Sequence, residues 1–340
     1  MLMKQLMPVK SSELARDKAD TLLALQYGKL TSNYIFTSML RRAATLAEQR
    51  VHLHYYSAWF CPFAHRCTLA LEHHADVIGY EWEEALGWER RAPTGDENFA
   101  ADARADWWYH WKSPGLLASN PLGMVPTLVE PSSGRAVTES LVAVQFVDEL
   151  ARASGGRAPP LVPADPFEAA RARVAAEKVN RQVTSNYYQV LVREDDVERR
   201  RAFGAILDGL RAFAADAAPR AGAPPAGAFW GGRQSLSLVD CVLLPYAWRL
   251  YVLEHYRGPD FAVPTSGDGG AWAWYAAWLE RTTALAPVAR TLPDKGRYLE
   301  HVAKYANNQA RSKVGNAVRR GVAAHDYDDE VDGDTNHTQK

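Results

Sequence analysis

The sequence predicts an α/β unit followed by an all-α unit, and three observations carry that prediction. From residue 51 to residue 151, strand-like and helix-like stretches alternate in the order β-α-β-insert-β-β-α. Residues 154–166, with four prolines, then read as a linker. Beyond the linker the apolar periodicity is helical only.

Composition agrees with an ordinary globular chain. Of 340 residues, 47% are hydrophobic and 23% charged, and a length of this kind suggests two domains with tails. A net charge of −1 argues against nucleic acid and against an anionic membrane surface as partners. No apolar run is long enough for a membrane helix, so no membrane association is expected. Three cysteines (Cys61, Cys67 and Cys241) make no disulfide framework, and the expected location is the reducing cytoplasm.

The expected divisions are an extension over 1–48, an α/β domain over 49–152, a linker over 153–166, a helical domain over 167–322 and an acidic disordered tail over 323–340. The extension carries Glu13, Asp17, Asp20 and Glu48, which argue against a transit peptide.

Taken in order, residues 51–57 read as a strand, 62–74 as a helix and 78–84 as a second strand. A long polar insert over about 85–119 ends near the aromatic run Trp107-Trp108-Tyr109-His110-Trp111. Residues 124–130 read as a third strand containing Pro126, and 135–138 as a short fourth after the Pro131–Gly134 loop. Residues 139–151 follow as a helix. The second unit reads as helices over 167–192, 195–217, 237–256, 272–284 and 297–320. Ser237 and Asp240 form a capping-box variant, with Leu236 able to pack on Cys241; Cys241 therefore reads as structural.

Chemistry is expected first at Cys61. It stands where a strand ends and a helix begins, and Pro62 suits the first helical position. A thiol there faces free N–H groups and the positive end of the helix dipole, both of which favour thiolate. The alternative is a small buried hydrophobe. Val125-Pro126 is a second feature: a cis bond there would leave the Val125 N–H and C=O ready to pair with an extended peptide, while a trans proline would only mark an edge strand. Glu139-Ser140 is a third. At a helix start it could hold an amino-acid end carrying both charges, or it could be a simple cap.

Cys61-Pro62, Val125-Pro126 and Glu139-Ser140, at these spacings, resemble the glutathione transferase superfamily. Cys61-Pro62-Phe63-Ala64 resembles its omega-like, cysteine-dependent branch, and Tyr305 to Val314 resembles fungal omega-like members. The resemblance implies a thioredoxin-like domain followed by an all-helical domain. It implies glutathione as co-substrate, a homodimer and a detoxifying or redox role, while the ten histidines include no HxxxH or HExxH and no metal site is expected.

By the same resemblance, Cys61 would form a mixed disulfide with glutathione and Phe63 would wall the site. Lys112 and Val125 would bind the tripeptide, Val125 being presented by Pro126. Glu139 and Ser140 would hold its γ-glutamyl end. Tyr187, Tyr188, Trp230, Trp248 and Tyr251 are candidates for the hydrophobic co-substrate site, each with core packing as the alternative. No cysteine stands at position 64, so a one-thiol mechanism with a second glutathione is implied, and Cys67 reads as packed.

The expected activity is thiol transfer or reduction: of glutathionylated disulfides, of glutathione conjugates or of dehydroascorbate. Alternatives are a conjugating transferase, a glutathionyl-hydroquinone reductase, and a non-enzymatic carrier of apolar ligands. The hydroquinone reductase branch usually has Trp where Phe63 stands. The second substrate is expected to be a small electrophile or disulfide.

Overall fold

The computed structural model describes residues 50–91, 107–217 and 229–327. The expected extension over 1–48, most of the polar insert and the acidic residues from 328 onward lie outside the described residues.

The first layer is a four-stranded sheet. Strand β1 (Val51–Ser57) runs parallel to β2 (Ile78–Glu84) through helix α1 (Pro62–His73). Two further strands, β5 (Thr127–Val129) and β6 (Ala136–Val137), complete the order β2-β1-β5-β6. In β1, Leu53, Tyr55 and Ser57 are buried and alternate with less buried neighbours, the period-two pattern of a strand. Tyr55 ties the sheet to α1: its hydroxyl donates to Ala64 O at 2.7 Å.

The insert is not a bare polar loop. Its described ends form a second sheet, β3 (Leu86–Arg91) antiparallel to β4 (Trp107–Lys112), with Trp88 opposite His110. Trp107 and Tyr109 point inward while Trp111 is exposed, so the aromatic run is an alternating strand. Gly87 lies under the Trp111 ring, so a Cβ added there would come within 2.3 Å of it and the ring would have to move. Helix α2 (Pro114–Ser119) follows, capped by Ser113 Oγ accepting the Leu116 N–H.

Strands β5 (Thr127–Val129) and β6 (Ala136–Val137) are shorter than their sequence suggests. Pro126 has no N–H for the ladder, so pairing with β1 begins at Thr127. Helix α3 (Ser140–Ala153) then packs against α1.

Helices α4 (Pro166–Val179) and α5 (Ser185–Val192) replace the single helix expected over 167–192; a π turn, Asn180–Thr184, separates them. Helix α6 spans Asp196–Ala217. Helices α7 (Leu238–Ala247) and α8 (Tyr251–Arg257) replace the single helix expected over 237–256. Between them the N–H groups of Arg249, Val252 and Leu253 bond three residues back. Helices α9 (Ala271–Ala284) and α10 (Ala286–Ala289) follow.

The helix expected over 297–320 is two: α11 (Lys295–Ala306) and α12 (Lys313–Arg320). Asn308 takes a left-handed conformation at φ +56°, which asparagine tolerates, and this ends the helical run. The released segment pairs with β4. Trp108 N donates to Gln309 O (3.0 Å) and Arg311 N to Trp108 O (2.8 Å). The described start of the expected tail is packed as well: Ala324 is fully buried, and His325 Nδ1 lies 3.0 Å from Ser185 Oγ. Ala323, Ala324 and Tyr327 precede most of the acidic run and can bury apolar surface; a chain of carboxylates could not.

Two buried polar groups join these elements. Asp240 in α7 accepts four bonds: from Ser237 N and Oγ at one oxygen, and from Trp230 N and Trp278 Nε1 at the other. Arg66 in α1 is fully buried and donates to Ser140 Oγ, Asn180 Oδ1, Thr184 Oγ1 and Val242 O. The π turn thus supplies two of its acceptors. That single guanidinium ties α1 to the start of α3, to the middle of α7 and to the α4–α5 junction.

Candidate functional site

The same start of α1 opens a cleft enclosing about 950 Å³, including its mouth. Cys61 is the N-cap residue of α1, with extended backbone, and its Sγ accepts the Ala64 N–H at 3.5 Å. Pro62 occupies the first turn, as the sequence implies. Val125 and Pro126 form a second wall, and their peptide bond is cis. Glu139 and Ser140 form a third.

Glu139 is the N-cap residue of α3, yet its side chain makes no capping bond. Its φ of +66° is a left-handed value that a non-glycine residue takes at a cost of roughly 1–3 kcal/mol. Such an outlier at a cleft points to function and away from a simple cap. Ser140 Oγ accepts from Arg66 Nη1 at 3.1 Å. With that lone pair engaged, the hydroxyl hydrogen is left to point elsewhere.

The opposite wall is aromatic. Phe63 lies parallel to Tyr188, with ring centres 6.4 Å apart, and Tyr298 and Tyr305 extend the surface. The β3–β4 hairpin adds His110, which packs on Trp88 at 3.9 Å, and α11 adds His301, which stacks on Phe60 at 3.9 Å. Trp88 Nε1 donates to His301 Nδ1 at 3.2 Å. Burial pushes His110 down to about 3, and His301 also falls well below the usual imidazole range. Both rings are therefore neutral at neutral pH.

Cys61 departs from the expectation of a lowered thiol pKa. Burial, the largest influence, pushes the thiol up. The Ala64 and Phe63 N–H groups, then Arg249 and Arg66, pull it back without cancelling that effect. In the free protein Cys61 is mainly a thiol at neutral pH, and its thiolate fraction grows as pH rises through the alkaline range.

Cys61, Phe63, Val125, Pro126, Glu139, Ser140 and Tyr188 come together at this cleft. Lys112 does not line it: on β4 it pairs across the hairpin with Leu86. Of the adjacent tyrosines only Tyr188 reaches the cleft. Tyr187, about 100° round the helix, is fully buried behind it, edge-on at 5.3 Å. Trp230 lies in the core, its backbone N–H on Asp240 and its ring under Arg171. Trp248 and Tyr251 pack on each other, with Trp248 against Tyr298 away from the cleft. Core packing thus accounts for Tyr187 and Trp230, and the other two form a layer behind the wall.

Sequence reasoning gave no role to Tyr298, Tyr305, Lys313 or Tyr327, which line the cleft. Lys313 Nζ donates to Leu122 O at 3.1 Å and lies 5.5 Å from the Tyr327 ring centre. The stretch Tyr305–Val314 carried the available signal. Among the described residues no group of three or more His, Cys, Asp or Glu could hold a metal, and no helix is long and apolar enough to cross a membrane.

Residues 60–150 match the family model of the glutathione S-transferase N-terminal domain. The chain is 31% identical over 184 residues to probable glutathione S-transferase GSTU6 of Oryza sativa subsp. japonica, an alignment covering 54% of this chain and 74% of that protein. It is 27% identical over 205 residues to glutathione S-transferase omega-1 of Mus musculus, covering 58% and 67%. In three dimensions it is similar to glutathione transferase Omega 3C from Trametes versicolor, with a TM-score of 0.54 and 23% identity, over 78% of this chain and 96% of the other.

Proposed function

This chain belongs to the glutathione S-transferase family, and from that premise we propose that it is a glutathione-dependent thiol transferase or reductase of the omega-like, cysteine type. The observation that carries the proposal is the position of Cys61: an N-cap thiol in the same cleft as Val125-Pro126 and Glu139-Ser140.

In this proposal the Val125 N–H and C=O pair with the cysteinyl part of glutathione. Glu139 meets the γ-glutamyl ammonium group, and Ser140 donates its hydroxyl hydrogen to the adjoining carboxylate, a role Arg66 favours by occupying the oxygen lone pair. Phe63 and Tyr188 flank the reacting sulfur. The lysine that lines the cleft is Lys313, and it is better placed than Lys112 to meet the glycyl carboxylate.

The Cys61 thiolate attacks the glutathione sulfur of a disulfide or conjugate. A Cys61–glutathione disulfide forms and the second product leaves with the bonding pair. The thiolate of a second glutathione then attacks that disulfide, releasing oxidised glutathione and restoring the Cys61 thiolate. The co-substrate is a small electrophile or disulfide, and the reading implies a cytoplasmic homodimer. Initial rates with a glutathionylated disulfide and varied glutathione are expected to give parallel double-reciprocal lines, the pattern of a covalent intermediate. Lines that intersect would contradict it.

One observation favours a second reading, conjugation. A Cys61 that remains a thiol can donate its S–H to a glutathione thiolate while Phe63, Tyr188 and Tyr298 hold an aromatic electrophile. Conjugation needs no bond to Cys61, so the two readings separate on variants of that residue.

A further inference from the structure

Arg249 is fully buried on the turn between α7 and α8. It donates to Pro245 O at 2.7 Å and to His65 Nδ1 at 3.1 Å, and neither acceptor is charged. Its Nε and Nη2 are buried and meet no acceptor in hydrogen-bonding geometry. Among the described residues it has no carboxylate partner. A buried guanidinium without an anion is costly, and such a charge is usually paired.

The surroundings indicate which anion would meet it. The guanidinium carbon lies 4.6 Å from the centre of the Tyr298 ring, and Tyr298 lines the cleft with Cys61. His65 holds the guanidinium from α1, and its backbone N–H donates to Cys61 O at 3.0 Å. His65 Nδ1 accepts from Arg249, so its hydrogen is on Nε2, which faces Thr291 Oγ1 at 2.8 Å; Thr291 in turn donates to Val288 O. The imidazole is therefore a neutral strut between the charge and the first turn of α1.

We propose that Arg249 is a positioning residue for Cys61: its buried guanidinium, left without a carboxylate, supplies the fixed positive charge against which the sulfur anion forms. The Cys61 proton leaves to water and the sulfur keeps the electron pair. Arg66 adds a second buried charge, likewise bonded only to neutral acceptors.

Apart from Arg249 and Arg66, the ionisable groups around Cys61 are neutral or engaged elsewhere. Burial holds Tyr55, Tyr188, Tyr246 and Tyr298 protonated and His65, His110 and His301 neutral. Glu139 is exposed and has the wrong sign. Lys313 holds Leu122 O and is the group proposed to meet the glycyl carboxylate, and His325 Nδ1 lies against Ser185 Oγ. Arg249 is among the charges that lower the Cys61 thiol against its burial.

The proposal rests on the Cys61 mechanism above, but its test does not use glutathione. Iodoacetamide alkylation of the full chain is followed by intact mass from about pH 6 to pH 10, the range that brackets an ordinary thiol. Cys67 and Cys241 are fully buried with thiols pushed up, so the rate reports Cys61. Arg249→Met and Arg249→Gln are each expected to slow alkylation about tenfold at neutral pH, a shift of about one pKa unit. Arg249→Lys, which keeps the charge, is expected to restore most of the rate. Wild-type profiles in a folded Met or Gln variant would overturn the proposal and leave the mixed-disulfide mechanism standing. If the Met variant does not fold, the Gln and Lys pair makes the same comparison.

Discussion

Cys61→Ser is expected to lower the turnover of glutathionylated disulfides by about three orders of magnitude or more, because a hydroxyl can neither attack sulfur at neutral pH nor form the mixed disulfide. The fold is expected to survive. Cys61 is only partly buried, and serine is itself a good N-cap, able to accept the Ala64 N–H in place of sulfur. Loss of activity with an unchanged melting temperature would therefore be chemical. Conjugation of an aromatic electrophile is expected to persist in this variant under the second reading, since a serine hydroxyl can still donate to a glutathione thiolate. Retention of more than about a tenth of the disulfide turnover would contradict the mechanism.

The largest effect on stability is expected at Asp240. Replacing it by Ala orphans the N–H groups of Trp230 and Ser237 and the Trp278 indole N–H, all buried, and it removes half of the capping box of α7. An unsatisfied buried donor costs about 1–3 kcal/mol, so Asp240→Ala is expected to lower stability by about 4 kcal/mol. That is a large share of the roughly 5–15 kcal/mol that holds a typical domain together. Urea unfolding measures it. A loss below about 1 kcal/mol would show that the network contributes little.

What was legible in the sequence was mostly local. Cys61 could be placed because a strand pattern changes to a helical one across a Cys-Pro step, and Ser237–Asp240 because a capping box spans four residues. Val125-Pro126 and Glu139-Ser140 are short motifs whose meaning came from their spacing. The β3–β4 hairpin was missed because its strands are separated by a long polar stretch, so their pairing is not a local property. Lys313 reaches the cleft only because the chain breaks at Asn308 and returns along β4, a path that helical periodicity hides.

Electrostatics failed in the same way. The dipole argument for Cys61 is local and identifies the correct N–H groups, but the burial that outweighs them comes from elements far along the chain. The acceptors of Arg66, Asn180, Thr184 and Val242, lie more than a hundred positions away, so nothing near it in sequence marks it as buried. The role inferred for Arg249 was invisible for the same reason: nothing near it in sequence marks it as buried and without an anion.

The central claim is that Cys61 carries glutathione as a mixed disulfide. The direct measurement is the intact mass of the full chain after incubation with oxidised glutathione at mildly alkaline pH, followed by peptide mapping. One glutathionyl group on Cys61, removed by adding reduced glutathione, is the expected result. An unmodified Cys61 under these conditions, or an adduct confined to another residue, would contradict the account.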